Sequence, residues 1–396
     1  MAIRLRAGTE ACTRLGRQET VLDAAGTRVF TYNTGMQLES EAITAGQNGL
    51  YTKTITRSYE NGSTGTVAGR AAALYIGTEY LTGYHYDDSG RLDRITGPGL
   101  GDGRVEYTRA ADSELVEYVR YKSGSGATLA QTRRKHGQTG DNRALLHFVE
   151  NQAGSPLATV SRYTYTNDDL GRRTSVVLSG SAFTAGDGEH HWQWGYNTRN
   201  ELTAAHRCEG TDPSGACSPL LIGYPSQLEY SYDPIGNRKT YTTDFGEITY
   251  TTNNVNQYTW WSSPYGNFNL TYDADGNLAS GLWLTYLWDG ENRLKAVYPM
   301  SPFVNDVKVE FDYDYRSRRV RKRVFTWTGS AWATTPTKDE RFVYDEWNPG
   351  HAAQAKGASF AEGKPRIRRS TVFRRVRPFL NECSLCLACS GVGNCS

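Results

Sequence analysis

The stretch that decides the fold is Tyr84–Leu92, which reads YHYDDSGRL. Two tyrosines are separated by a single residue, an aspartate follows the second tyrosine, and Gly90 comes three residues after that aspartate. An aspartate at the first position of a type I turn caps the turn with its own side chain, and glycine suits the fourth position. Such a turn, ending in a left-handed glycine, commonly joins two antiparallel strands. The stretch therefore predicts a strand, a tight turn and a second strand.

The same pattern recurs along the chain at variable spacing, as internal repeats do when insertions lengthen some connections. Each copy is predicted to be one hairpin, so the fold class is predicted to be all-β, with repeated antiparallel hairpins in a long curved or spiralling sheet that forms a partial shell. The clear copies are Tyr230–Arg238 (YSYDPIGNR) and Leu270–Leu278 (LTYDADGNL), the looser copies are Trp194–Leu202, Tyr286–Leu294 and Phe311–Ser317, and the outermost copies are Phe30–Asn33 and Phe342–Asp345.

The aromatic residues of each copy lie two positions apart and therefore project from the same face of a strand. Aromatic cross-strand pairs contribute roughly 0.2 to 1 kcal/mol each. We expect the rings to stack into a ladder that orders a sheet poor in leucine and isoleucine. The pairs are Phe30/Tyr32, Tyr84/Tyr86, Trp194/Tyr196, Tyr230/Tyr232, Leu270/Tyr272, Tyr286/Trp288, Phe311/Tyr313 and Phe342/Tyr344.

The composition agrees with strands and turns. Of 396 residues, 12% are aromatic and 22% charged, with 41 Gly, 26 Tyr and only 3 Met, which excludes a collagen, a membrane bundle and a mostly disordered chain. No apolar run approaches the ~18 residues that would span a bilayer, so no membrane span is expected. No apolar segment follows the first residues, so no signal peptide is visible.

Charge and cysteine divide the chain after Gly350. The last 46 residues carry eight Lys and Arg against two Glu, or +6, which leaves the first 350 residues at −4. Four of the seven cysteines lie between Cys383 and Cys395. We therefore predict three segments: an irregular N-terminal segment over 1–24, one repeat array over 25–350, and a basic, cysteine-containing, disordered tail over 351–396.

The repeat resembles that of the RHS/YD-repeat family, which is written around Tyr-Asp-x-x-Gly-Arg-Leu and which Tyr86–Leu92 matches throughout. The resemblance covers about residues 25 to 350. It implies a β-sheet that spirals into a hollow shell, as in secreted or surface-anchored bacterial proteins and the related teneurins of animals. Such shells typically enclose a variable C-terminal toxin, and some members are described as binding carbohydrate. The resemblance therefore implies an encapsulated toxin polypeptide or a carbohydrate as partner.

The family's C-terminal core, rich in Asp-Pro-x-Gly, has no counterpart after Gly350. Asp233–Gly236 is the one such tetrapeptide, and its place inside an ordinary repeat indicates a turn, so self-cleavage is not expected here. No nucleophile, zinc-protease, P-loop or dinucleotide fingerprint is present. The aspartates are explained by turn starts rather than by paired catalytic carboxylates. We therefore expect no enzyme, no catalytic residue and no cofactor.

The remaining candidate sites admit a plain interpretation and a sharper one. The basic segment 364–378 is read as solvated tail rather than as a nucleic-acid surface, and Cys383–Cys395 as a thiol cluster rather than a metal site. Cys208 and Cys217 end one turn-rich loop and could form a disulfide in an oxidising compartment. The two histidines that precede this loop, His190 and His191, together with His206, are read as polar loop residues rather than as metal ligands.

Three functions stay open. The first is a non-enzymatic structural section of a shell. The second is a carbohydrate-binding face on which Trp260, Trp261, Trp283 and Trp288 stack against sugar rings. The third is an incomplete reading frame with no independent function, whose open sheet edges would self-associate; resequencing the DNA around the Gly350 codon would test it.

Overall fold

The computed structural model describes residues 10–45, 50–63, 67–77, 80–97, 100–137, 144–184, 188–220, 225–264, 266–345 and 348–354. Over these residues the protein is almost entirely β, with 29 strands and one helix of four residues. This confirms the all-β class and the repeated antiparallel hairpins. The basic segment 364–378 and the cysteines from Cys383 onwards lie outside the described residues.

The larger unit, Leu5–Phe268, holds one sheet of 21 strands. From β1 to β20 each strand pairs antiparallel with the next strand along the chain. Helix α1 (Ser181–Thr184) lies in the connection between β14 and β15. The strands are β1 Glu10–Cys12, β2 Gln18–Asp23, β3 Gly26–Tyr32, β4 Leu38–Thr44, β5 Lys53–Tyr59, β6 Ala71–Ile76, β7 Tyr80–Tyr86, β8 Leu92–Thr96, β9 Arg104–Arg109, β10 Val116–Lys122, β11 Thr128–His136, β12 Leu146–Ala153, β13 Ala158–Asn167, β14 Arg173–Ser179, β15 His190–Tyr196, β16 Leu202–Glu209, β17 Gln227–Tyr232, β18 Arg238–Thr243, β19 Gly246–Thr252, β20 Tyr258–Ser263 and β21 Gly266–Asn269.

The smaller unit comprises the chain from Asn269 onwards and holds a second sheet, of eight strands. Its strands also pair antiparallel in chain order. The strands predicted to form one array over 25–350 are thus shared between two sheets, and the last strand runs to Gln354. The strands are β22 Thr271–Tyr272, β23 Leu278–Gly281, β24 Leu284–Trp288, β25 Leu294–Pro299, β26 Val307–Tyr313, β27 Arg319–Thr326, β28 Lys338–Asp345 and β29 Asn348–Gln354.

Of residues 1–24, predicted to be irregular, the structure describes residues 10–24. Strands β1 and β2 form a further hairpin, whose turn runs from Thr13 to Arg17. The Thr13 hydroxyl accepts a hydrogen bond from the Arg17 amide, 3.2 Å away. Because a threonine hydroxyl can cap a turn as an aspartate does, this copy carries the geometry of the repeat without its aspartate.

The turns have the predicted form, with a register shift at the last residue before each turn. Between β7 and β8 the Gly90 amide donates to the Asp87 carbonyl at 2.8 Å, and the register shifts between His85 and Tyr86. Gly90 has a φ of 80°, as the left-handed position of this hairpin requires. In copies without the glycine, other residues take that conformation, namely Asn200, Asn256, Asn292 and Ser317.

Burial follows the strand alternation, and the buried face is not purely apolar. Phe30 and Ile55 are buried, and so are Arg28, on the same strand as Phe30, and Glu41, on the strand between Phe30 and Ile55. Arg28 forms ion pairs with Asp23, at 2.9 Å, and with Glu41. This sheet therefore buries charged pairs together with hydrophobic side chains.

Candidate functional site

The most regular side-chain arrangement of the molecule lies at the repeat turns. In the turn after β7, one oxygen of Asp87 accepts hydrogen bonds from the amides of Ser89, at 3.0 Å, and Arg91, at 2.9 Å. Its other oxygen accepts a bond from the Arg91 Nε at 2.8 Å. The Arg91 amide, the Arg91 guanidinium and the Ser89 amide together hold the pKa of the Asp87 carboxyl below its usual range. The repeat aspartates are thus structural caps.

The same three bonds recur in other turns, with an arginine four residues after the aspartate. Asp168 is bonded to Arg172, Asp289 to Arg293, and Asp314 to Arg318. The last pair is buried, with Asp314 and Arg318 almost fully removed from solvent. In two further turns an asparagine replaces the arginine, and these turns start at Asp233 and Asp273.

The aromatic residue before each turn bonds to the preceding repeat. The Tyr86 hydroxyl donates to the carbonyl of Ala71 at 2.7 Å, and Ala71 is the first residue after the preceding turn. Because seven tyrosines and one tryptophan make this bond, each of these repeats is fixed to the one before it. The donor and acceptor pairs are Tyr32 and Gln18, Tyr59 and Leu38, Tyr86 and Ala71, Tyr196 and Arg173, Tyr232 and Leu202, Trp288 and Leu278, Tyr313 and Leu294, and Tyr344 and Arg319.

Arginines lie over several of these tyrosine rings, whereas the expected ring-on-ring contact occurs within a hairpin, as between Tyr230 and Tyr241, which stack with ring centres 5.3 Å apart. The guanidinium of Arg172 lies 4.8 Å from the centre of the Tyr196 ring. Tyrosines of successive repeats stand two strands apart, or roughly 9 to 10 Å, which exceeds the 4.5 to 7 Å of stacked rings. The arginine that ends the preceding turn stands directly before the strand that lies between them. The other such pairs are Arg17 over Tyr32, Arg70 over Tyr86, Arg293 over Tyr313 and Arg318 over Tyr344.

Neighbouring turns are also joined side by side. The Arg172 guanidinium donates to the Asn200 Oδ1 at 2.8 Å in the next turn. Arg199 in that turn donates to the carbonyls of Asp233 and Pro234 in the turn after it, at 2.8 and 2.6 Å. These bonds make the three turns one connected rim. Asp233, in the tetrapeptide that resembles the family's cleavage core, serves here as a turn cap, as predicted.

A face of the strands between β10 and β13 carries alternating arginines and aromatic rings. The Arg120 guanidinium lies 4.1 Å from the centre of the Tyr118 ring, and Arg133 lies over both Tyr118 and Phe148. Arg162 lies 4.1 Å from the Phe148 ring centre on the other side. This cation–π series crosses four neighbouring strands, with Phe148 buried and the arginines half-buried.

The loop from Cys208 to Cys217 is closed by the disulfide that the sequence left open. His191 is buried, and its Nδ1 lies 2.9 Å from the Gly210 carbonyl within this loop. Gln193 donates to the carbonyls of Pro213 and Gly215. Of the three histidines, only His191 contacts this loop, since His190 contacts the Gly188 carbonyl and His206 pairs with Glu229. All three lie on strands, so the prediction that they are loop residues was wrong. No cluster of three metal-ligating side chains occurs in the described part of the chain.

The four tryptophans considered for sugar stacking have different surroundings. Trp261 stacks on Phe268 with ring centres 4.3 Å apart. The Trp288 indole donates to the Leu278 carbonyl. Trp260 is half-buried, and Trp283 is 60% exposed. Two of the four thus have structural contacts that their sequence positions did not disclose, and sugar binding stays a prediction.

The sequence matches to known proteins cover a small part of either relative. No protein-family model matches the chain. A segment of 104 residues is 34% identical to tRNA nuclease WapA of Bacillus subtilis and to tRNA3(Ser)-specific nuclease WapA of Bacillus spizizenii, and the match spans 24% of this chain and 4% of either relative. No helix in the described ranges is long and apolar enough to cross a membrane.

Two toxin structures align with much of the chain at low similarity. The Photorhabdus luminescens Tc holotoxin pore aligns over 85% of this chain and 21% of its own, with 13% identity and a TM-score of 0.40. The TcdB2–TccC3 complex aligns over 85% of this chain and 26% of its own, with 13% identity and a TM-score of 0.22.

Proposed function

We propose that this chain is a non-enzymatic structural section of an RHS-type shell, which acts as container or scaffold for a polypeptide such as a toxin or an adhesive domain. The observation that carries the proposal is the bond from each repeat's aromatic residue to the preceding repeat. Eight such bonds fix hairpins to their neighbours, so the sheet can extend repeat by repeat while much of its surface stays polar.

The charged and aromatic face supports a polypeptide as the partner. The half-buried arginines of this series, Arg120, Arg133 and Arg162, lie beside aromatic rings on neighbouring strands. Such a face suits a container. A hydrated polypeptide can bind to a polar inner surface without becoming part of a hydrophobic core. No reacting group lies in this series, and the repeat aspartates are occupied as turn caps.

The disulfide supports a secreted or cell-surface location. Disulfides persist in oxidising compartments and are rare in the reducing cytosol. Thiol labelling of the natively produced protein, followed by mass spectrometry, is expected to leave Cys208 and Cys217 unlabelled until a reductant is added. Labelling of both cysteines without reductant would contradict an oxidising location.

Small-angle X-ray scattering of the full chain tests the container role. A curved sheet around a solvent-filled space gives a pair-distance distribution shifted to longer distances than that of a solid globule of 44.1 kDa. A compact, filled profile would overturn the proposal. A dilution series in the same experiment tests whether the open sheet edges self-associate, because the fraction of associated chains decreases as the protein is diluted.

Incubation with tRNA tests the non-enzymatic part of the proposal separately. The two curated relatives are nucleases, but the matched segment spans 4% of either of them. We expect no cleavage of tRNA by the full chain. Cleavage that survives repurification would show that the chain is an enzyme, whatever its shape.

A further inference from the structure

One end of the smaller sheet is lined by exposed apolar side chains. The connections β23/β24, β25/β26 and β27/β28 lie at the same end, because alternate connections of an antiparallel meander share one end. Trp283 is 60% exposed, Phe303 71% and Val304 62%, and Met300 is also exposed. We call these four residues and their three connections the Trp283 rim.

The three connections are held together by main-chain bonds. The Met300 amide donates to the Trp283 carbonyl at 2.8 Å, which joins the first connection to the second. The Asn305 amide donates to the Trp327 carbonyl, and the Trp327 amide to the Asp306 carbonyl, which joins the second to the third. The exposed side chains therefore stand on an ordered support.

The turn that presents Trp283 is strained. Leu282 and Trp283 are the two residues between the paired Gly281 and Leu284, with φ values of 55° and 62°. A two-residue hairpin loop with positive φ at both positions is the type I′ turn, which strongly favours asparagine and glycine. Large side chains are disfavoured in this conformation and tend to persist in it at functional positions.

The rim is nearly free of charge, in contrast to the turns at the other end of the sheet. Residues 280–287, 296–307 and 325–337 contain a single charged side chain, Asp306. An oxygen of that carboxylate accepts a hydrogen bond from the Phe303 amide at 2.8 Å, so it closes its own loop. A partner matched to this surface is uncharged as well.

We propose that the Trp283 rim docks onto the interface of a phospholipid bilayer. Tryptophan favours the headgroup level of a membrane, and phenylalanine, methionine and valine favour the hydrocarbon below it. Lipids adapt around separate loop tips, whereas a protein partner needs a surface complementary to all of them. The lack of cations on the rim selects zwitterionic lipid, so binding is independent of salt.

Co-sedimentation of the full chain with phosphatidylcholine vesicles tests the inference. The wild type is expected to sediment with the vesicles, with a blue shift of tryptophan emission that 0.5 M salt leaves unchanged. The variant Phe303→Ser/Val304→Ser is expected to bind about tenfold more weakly, because two apolar side chains no longer leave water. Ile235→Ser is the matched control, since Ile235 is 69% exposed but lies on a repeat turn.

A second variant separates binding from folding. Leu282→Asn/Trp283→Gly gives the turn its preferred residues, so its melting temperature is expected to rise while vesicle binding falls. Absence of wild-type binding, or equal binding by the rim variants, would overturn the inference. A vesicle-independent dimer that the same variants dissociate would assign the rim to a second copy of the chain instead.

Discussion

The Tyr86 hydroxyl donates a hydrogen bond to the Ala71 carbonyl at 2.7 Å, and the Arg70 guanidinium lies 4.6 Å from the centre of the same tyrosine ring. One side chain thus contacts the last residue of the preceding turn and the first residue of the strand that follows it. The relationship explains why the repeat combines an arginine after the turn with a tyrosine before the next one.

Removal of this hydroxyl is expected to weaken the sheet without disturbing the ring. Tyr86→Phe should lower the free energy of unfolding by about 0.5 to 1.5 kcal/mol, the usual net value of one hydrogen bond. Tyr75→Phe, on the neighbouring strand and more exposed, is the control and should change it little. Urea unfolding followed by circular dichroism measures both, and equal values would contradict the role of the bond.

The same pair has an expected pH dependence at the alkaline end. Burial raises the pKa of the Tyr86 phenol. Its stabilisation is therefore fully present below the usual tyrosine pKa of about 10, and is lost as the pH rises through the raised value. The difference between the wild type and Tyr86→Phe should shrink over that range, and a constant difference would speak against the assignment.

The buried cap Asp314 is expected to matter more than an exposed turn aspartate. Asp314→Ala leaves the buried Arg318 without its 2.7 Å partner, and removing one member of a buried pair costs about 3 to 5 kcal/mol. Asp275→Ala, at the exposed third position of its turn, is the matched control. Thermal unfolding of both variants measures this difference in stability. If the caps do not stabilise the fold, the two variants should be equally stable.

The turn aspartates should make the protein sensitive to acid. The Asn237 side chain and the amides of the turn lower the pKa of Asp233, and Asn277 does the same for Asp273. A lowered carboxyl pKa contributes stability that is present above the usual aspartate pKa and is lost as the pH falls through the lowered value.

Asp233→Asn provides the check on this acid dependence. Asn253 caps its own turn through Oδ1, with the amides of Val255 and Gln257 as donors, so asparagine can replace the carboxylate as a cap. The variant should be close to wild type at pH 7 and lose less stability between pH 5 and pH 2. An unchanged acid transition would exclude Asp233 as a contributor.

Arg28 is expected to be indispensable in the larger sheet. Arg28→Met leaves Asp23 and Glu41 as buried carboxylates with a missing cation, at a cost of about 3 to 5 kcal/mol. Arg14→Met, at an exposed turn position, is the control. Chemical unfolding of the two variants should differ by most of this amount, and similar stabilities would show that the buried pairs are dispensable.

Local sequence determined much of this fold, because a turn is decided by neighbouring residues. The aspartate at 87 and the glycine at 90 predicted both the hairpin and its left-handed residue, and the same spacing located most of the others. Thr13 escaped prediction, since its hydroxyl does the work of the aspartate. The sequence left open whether Cys208 and Cys217 form a disulfide, because their spacing in the loop permits the bond without requiring it.

Tertiary structure decided what the repeated side chains do. The sequence places Tyr86 beside Asp87, but the contacts of Tyr86 lie at Arg70 and Ala71, which only strand pairing brings within reach. Equivalent tyrosines of successive repeats lie two strands apart, which is too far for their rings to stack. Arginines lie over several of these rings instead. In the same way, the apolar rim around Trp283 and Phe303 exists because three connections that are separate in sequence lie at the same end of the sheet.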